Sequence, residues 1–428
     1  MTLIKPFRAW HYAPKQVAID RVIAPPYDII SEPYRLKLYE RDPHNVIRLE
    51  LGQTKAGALL DDSKYEQAKK YLNQWKKEGI LNSEAKDSFY LYEMTYQHPF
   101  QNKTLTRLAL FALLKLEPFE RKLVFPHEKT HASPKADRKK LLQATHAHFS
   151  PVFTLYEDTS SMLNELQKTH GSKPPLFDFS DDQKVRHRLW VVNGKKEIDQ
   201  INSQFDRKRV FIADGHHRYE TALNYAQEMN AEAMPNGEHS WDYILSTFVR
   251  FQDPGLLILP IHRVVLKSTP IDREIFIAGL KKHFVMHAVL RSALEKVSEG
   301  TITEGFGLAL SENECFLLEL KDKTTARQAM PDGKPASWYE LDMNLVSYLI
   351  LEPLLHIKSS ELEWKVFYTP SVDEAFGKFK EGETECAFFI RPVTPQVIKE
   401  ICESGELMPQ KSTYFYPKFP SGLLMYCH

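Results

Sequence analysis

The stretch Val210 to Leu223, VFIADGHHRYETAL, constrains the fold more than any other part of this chain. Val210, Phe211 and Ile212 read as a short buried strand, and Asp214-Gly215 reads as a turn. Tyr219, Ala222, Leu223 and Ala226 then recur at helical spacing. A strand that ends at a glycine and opens a helix is a building step of α/β proteins, and here it puts His216, His217 and Arg218 at the helix mouth. That end of a helix carries unpaired N–H groups and the positive pole of the macrodipole. Two histidines and an arginine add donors suited to phosphate. Asp214 does not belong to a plain phosphate cradle. It reads either as the helix cap or as a carboxylate that holds a cation or a hydroxyl beside the phosphate.

The rest of the chain alternates in the same manner, which predicts a mixed α/β (α+β) fold. The pattern predicts an α/β segment at 1–117, a middle core at 118–268 and a C-terminal α/β domain at 269–428. Tyr65 to Glu78 reads as an amphipathic helix. Phe89 to Thr95 and Leu105 to Leu116 read as strands joined by a hairpin loop from Gln97 to Lys103. Asp137 to Thr145 reads as a charged helix, Leu256 to Val265 as a strand, and Leu341 to Leu355 as a buried helix.

Composition narrows the function classes. Lys plus Arg and Asp plus Glu both number 56, so the formal charge is zero. A nucleic-acid binder carries a basic excess that this chain lacks. The 4 cysteines, at 315, 386, 402 and 427, form no CxxC pair, which fits a reducing compartment better than a disulfide framework. The N-terminus has no apolar signal core, and no run reaches the ~18 apolar residues that span a bilayer. A cytoplasmic protein with no membrane partner is expected, with its oligomeric state open.

His127-Glu128-Lys129-Thr130-His131 spells HExxH, the pattern of a helix that binds zinc. Pro126 and Pro134 leave little room for that helix, and no third ligand follows at the expected spacing. In the zinc reading His127, Glu128, His131 and Asp214 serve a metal-dependent hydrolase. In the other reading Glu128 is a carboxylate that the fold brings to Asp214 as a general base, or simply a solvated loop charge. Arg138 is a phosphate clamp or part of an exposed helix face, while Lys139 and Lys140 read as that face. Lys411, Ser412, Thr413 and Lys418 surround an aromatic cluster and either close over a nucleotide or belong to a surface hairpin. Asp28, after Pro25-Pro26, orients a site or caps a turn. His262-Arg263 reads as structural. Neither GxxxxGK[ST] nor GxGxxG occurs, so any phosphate chemistry uses another kind of site.

Ala24-Pro25-Pro26-Tyr27-Asp28, Pro126-His127-Glu128 with Asp137-Arg138, Ala213 to Tyr219, and Lys411 to Lys418 together resemble a prokaryotic family of unknown function, over nearly the whole chain. The middle segment, with Asp-Gly-His-His-Arg after a strand and a Pro-His-Glu element upstream, is similar to free serine kinases of the ParB/sulfiredoxin-like fold. That resemblance implies Glu128 as the base, Asp214 assisting the hydroxyl or a metal, and Gly215, His216, His217 and Arg218 holding phosphates. An insertion around Thr159 to Asp182 separates the two motifs more widely than in those kinases. Arg138, Lys411, Ser412 and Thr413 are then expected around the nucleotide, and His127, Thr130 and Asp28 around the substrate. The implied cofactor is Mg²⁺ with ATP or ADP, and the implied acceptor is a small hydroxyl-bearing metabolite, free L-serine foremost. The alternatives are the metal-dependent hydrolase and a ParB-like nucleotide or nucleic-acid binder without catalysis.

Overall fold

The computed structural model describes residues 3–53, 62–128, 130, 132–158, 160–232, 237–267 and 271–428, the side chains at 132–134 excepted. The chain forms two compact units. The first comprises Met1–Pro126, Thr130–Leu256 and Pro417–His428, and the second comprises His127–Lys129 and Leu257–Tyr416.

The first unit is built on one mixed sheet. Its strand order is Val124–Phe125, Val210–Asp214, Val152–Tyr156, Tyr243–Arg250, Thr104–Lys115, Phe89–Gln97, Arg186–Val192 and Phe177–Ser180, with Ile4–Lys5 paired on Thr104–Lys115. The Val210–Asp214 strand lies parallel to Val124–Phe125 and antiparallel to Val152–Tyr156. The expected hairpin is present, pairing Tyr90 with Phe111 and Gln97 with Thr104. Alternation along the strands sorts the side chains onto two faces. Leu108, Leu110, Ala112 and Leu114 join Val152, Val210, Ile212, Ile244 and Phe248 in one core. Helix His216–Glu232 covers that core with Tyr219, Ala222, Tyr225 and Ala226, which repeat at helical spacing.

The opposite face carries Phe111 and Phe153, and residues 417–428 cover it. The Phe419 ring packs edge-on against Phe153, with centroids 4.8 Å apart, and against Phe111 at 6.3 Å. Buried Arg107 lies over the Phe419 ring at 4.6 Å and donates to the Pro417 carbonyl at 2.6 Å. Further along, Ser421 bridges Ala24, Met425 bridges Trp10, and Tyr426–Cys427 pairs with Ala147–His148.

The second unit holds an antiparallel sheet ordered Phe284–Val289, Glu314–Leu320, Phe306–Ser311, Thr384–Phe389, His262–Leu266 and Val366–Thr369. The strand expected from Leu256 to Val265 is two strands, Leu257–Leu259 and His262–Leu266. Pro260 between them has no N–H to give a ladder. The first of the two pairs with Tyr414–Tyr416 instead of joining the larger sheet. The buried helix expected at 341–355 is α-helical over Asp342–Val346, widens to a π turn over Ser347–Leu351, and resumes at Glu352–Leu355. His262 is structural, as its sequence context implies. It is fully buried, meets Ser298 Oγ at 3.0 Å, and accepts the Ile390 N–H at 3.3 Å. Burial, with Arg263 beside it, pushes its pKa down to about 3.

No helix among the described residues is long and apolar enough to cross a membrane. The four cysteines are free thiols, with Cys315, Cys386 and Cys402 buried.

Candidate functional site

In the first unit, the Val210–Asp214 strand changes register against its neighbour between Ile212 and Asp214, which re-aims the last residue. Gly215 follows at φ +90, and the helix begins at His216, with the Tyr219 N–H donating to the Gly215 carbonyl at 3.0 Å. Glycine is required here twice over. The backbone is left-handed, and a Cβ at this position would stand 2.9 Å from Arg218 Nη2 and 3.0 Å from its Cζ. The guanidinium lies flat over the turn because no side chain is there.

Asp214 is not a simple cap. Its Oδ2 accepts from Arg218 Nη2 at 2.8 Å, and its Oδ1 accepts from Lys418 Nζ. The side chains of Asp214, Arg218 and Lys418 are only 15%, 10% and 10% exposed. Burial alone would raise the Asp214 carboxyl. The charges of Lys418 and Arg218, the Lys418 hydrogen bond and nearby His216 overcome it and hold the group well below the usual carboxylate range. Arg218 also donates to the Pro151 carbonyl through Nη1. His216 is buried and His217 half-buried at the helix start. The turn, His216, Arg218 and Lys418 are thus one cluster around a carboxylate. Lys418 owes its place to its neighbours, since Pro417 is held by Arg107 and Phe419 fills the sheet face.

Arg138 is not part of an exposed helix face, since it is buried. Its Nη1 donates to Glu50 at 2.7 Å, its Nη2 to the Glu50 carbonyl at 2.8 Å and to Asp137 at 2.6 Å, and its Nε to Asp137 at 3.0 Å. Its guanidinium sits 4.3 Å from the centroid of the Tyr27 ring, which places the Pro25-Pro26-Tyr27 turn in the same network. Burial opposes ionisation of Asp137, but Arg138, Lys64 and Tyr65 outweigh it and lower its pKa to about 2. Burial likewise pushes the Tyr27 hydroxyl up, to about 12, against the pull of Arg138 and Arg218. Asp28 is exposed in the turn Tyr27–Ile29. Thr130 donates to Glu220 at 2.8 Å, as does Lys135. Lys139 and Lys140 do form the expected charged face, paired with Glu228 and Asp62.

In the second unit, His127 and Glu128 are extended, not helical. Glu128 bridges Met408, and the His127 carbonyl accepts the Met408 N–H at 2.8 Å. Glu128 Oε1 accepts the Ser412 N–H at 3.0 Å and lies 3.5 Å from Thr413 Oγ1 and from His127 Nε2. His127, 1% exposed, meets Thr413 Oγ1 at 2.9 Å. The Ser412 hydroxyl donates to the Pro409 carbonyl. Ser412 and Thr413 therefore hold the Glu128 carboxylate in this structure. Lys411 precedes them at φ +57 with its side chain exposed. Lys129 and His131 lie outside the described residues. Among the described residues no group of three or more His, Cys, Asp and Glu side chains has the makings of a metal site.

Two participants carry no local sequence signal. Glu50 lies in the one-turn helix Ile47–Glu50 and is buried against Arg138. Tyr27 is marked only by its two prolines.

No curated protein matches the chain. Among solved structures, a free serine kinase in complex with AMP is 14% identical, covering 72% of this chain and 88% of its own, with a TM-score of 0.37. A conserved hypothetical protein from Pyrococcus furiosus is 15% identical over 73% of this chain and 93% of its own, with a TM-score of 0.36. SbnI from Staphylococcus aureus, truncated at its C-terminus, is 8% identical over 72% and 84%, with a TM-score of 0.35. A family model described as a protein of unknown function, DUF1015, matches residues 4–344, and the chain belongs to that family.

Proposed function

We propose that the protein is a small-molecule phosphotransferase that moves a phosphoryl group from ATP or ADP to a hydroxyl, with free L-serine as the first acceptor to test. The observation that carries this reading is the turn at Asp214-Gly215. A helix mouth with Arg218, Lys418 and two histidines around it is chemically suited to phosphate oxygens. Phosphoryl transfer asks for positioning and charge neutralisation more than for covalent help. Gly215, His216, His217 and Arg218 take the phosphates. Asp214 fixes Arg218 and Lys418, so that both cations stand ready before a ligand arrives. Glu128 accepts the hydroxyl proton, with Ser412, Thr413 and His127 setting the orientation of its carboxylate. Lys411 is assigned to the nucleotide, and Thr130 and Asp28 to the acceptor side. The ParB/sulfiredoxin-like reading of the core belongs to the same proposal.

Direct magnesium coordination by Asp214 does not fit this donor set, because the cationic Arg218 and Lys418 on its two oxygens repel a further cation there. Magnesium would arrive on the phosphates of the nucleotide.

A phosphorus NMR screen with ATP and ADP against amino acids and small alcohols tests the reading, with O-phosphoserine expected. Glu128→Gln should lower turnover by about 10² or more. Product formation by that variant at the normal rate removes Glu128 as the base.

A further inference from the structure

Beside the Asp214-Gly215 turn, and wholly within the first unit, lies a cavity of about 40 Å³. Its walls include Glu50, Arg138, His148, Ser150, Arg218 and Thr221. One water needs roughly 10–15 Å³ by the same measure, so the space suits two or three non-hydrogen atoms.

Two of its wall residues carry buried polar atoms with no hydrogen-bond partner among the described residues, Glu50 Oε1 and Arg218 Nε. The Glu50 side chain is 4% exposed and the Arg218 side chain 10%. Orphaned buried groups are uncommon in folded proteins and call for an occupant. Here they are complementary, since one can only accept and the other can only donate. A single group that donates to Glu50 and accepts from Arg218 satisfies both. A hydroxyl does this.

The charges point the same way. Glu50 is already neutralised by Arg138, and Arg218 by Asp214. His148 is half-buried, with its pKa pushed well down by desolvation and by His428 and Arg218, so it adds no charge at neutral pH. An ion entering this space would meet charged side chains that already have partners and would pay for its own desolvation. A neutral hydroxyl would not.

We propose that this cavity is a binding site for the hydroxymethyl end of a small polar alcohol.

The test is calorimetric titration of the full chain with hydroxyl compounds and their deoxy partners: L-serine against L-alanine, ethanolamine against ethylamine, glycolate against acetate. At least one hydroxyl compound should bind about tenfold tighter than its partner, because the deoxy analogue leaves the two polar atoms unpaired. Thr221→Leu fills the cavity and keeps every charge. It should erase the difference while the circular dichroism stays native, and Thr221→Ser should retain it. Equal affinity within every pair, no binding by any compound at millimolar concentration, or a preference that survives Thr221→Leu overturns the proposal. ADP binding is measured on the same proteins. Hydroxyl preference without ADP binding sinks the phosphotransferase reading alone, and ADP binding without hydroxyl preference sinks the cavity site alone.

Discussion

Asp214→Asn separates the electrostatic part of the site from its shape. Asparagine keeps the size of the side chain and one of its two acceptor oxygens, but it removes the charge between Lys418 and Arg218. Both cations are about nine-tenths buried, each bonded to a different carboxylate oxygen. Removing one partner from a buried ion pair costs about 3–5 kcal/mol, because it leaves the other charge uncompensated. The retained amide oxygen and the Arg218 bond to Pro151 offset part of that. A loss of about 3 kcal/mol is therefore expected. For a unit of this size each kcal/mol lowers Tm by roughly 2–4 °C, so the transition should fall by roughly 6–12 °C. The vacancy should also be chemically rescuable. A phosphate or pyrophosphate group supplies the missing anion, so millimolar pyrophosphate should raise the Tm of Asp214→Asn by several degrees more than that of the parent protein. Scanning calorimetry with and without pyrophosphate reads both effects. A variant that melts within about 1 °C of the parent and gains no extra stabilisation from the anion would falsify the account of Asp214 as the counter-charge.

The other predictions concern neighbouring groups. Gly215→Ala forces a side chain into left-handed backbone and against the Arg218 guanidinium, so equilibrium denaturation should show a loss of roughly 1–3 kcal/mol. An unchanged midpoint would mean that the turn relaxes freely. Arg138→Met strands the buried Glu50 carboxylate and should cost about 3–5 kcal/mol. Arg138→Lys should recover only part of this, since one ammonium cannot reach both carboxylates and the Glu50 carbonyl, and full recovery would refute the fork geometry. Asp137 and Asp214 both have folded pKa values below their unfolded ones. Their contribution to stability is present above about pH 4 and is lost as pH falls toward 2. Asp137→Asn should flatten the acid limb of a Tm-against-pH curve, and an acid limb identical to that of the parent would show that the carboxylate gains nothing on folding.

The local part of this site could be read from sequence, because it is written in periodicity and punctuation. Val210 to Ala226 contains the strand, the glycine and the helix in order, and the structure has them in place. The hairpin and the helix at Ser63–Lys77 were legible for the same reason. The partners were not. Lys418 reaches Asp214 across 204 residues, Arg138 reaches Glu50 across 88, and Ser412 reaches Glu128 across 284. Nothing in the spacing of one chain encodes such pairings, which arise only when sheet faces are covered. Arg138 shows the cost most plainly. In DRKK it reads as a phosphate clamp or one more solvated charge, and only buried Glu50 and the Tyr27 ring against it reveal a core cation. The HExxH letters err in the opposite direction, since the helix they suggest starts only at Ala132.

The order of segments along the chain bears on how the protein is made. The first unit closes only when residues 417–428 dock, and those residues leave the ribosome after the whole of 257–416. Until then Phe111 and Phe153 lack the Phe419 ring and Asp214 lacks Lys418, so a nascent chain carries an open sheet face and an under-compensated carboxylate. Such a unit cannot mature strictly in order of synthesis, and contacts of long sequence separation form slowly. Expression of residues 1–256 alone would thus give a partly folded, aggregation-prone product, and supplying 417–428 as a separate peptide is the natural route to completing it.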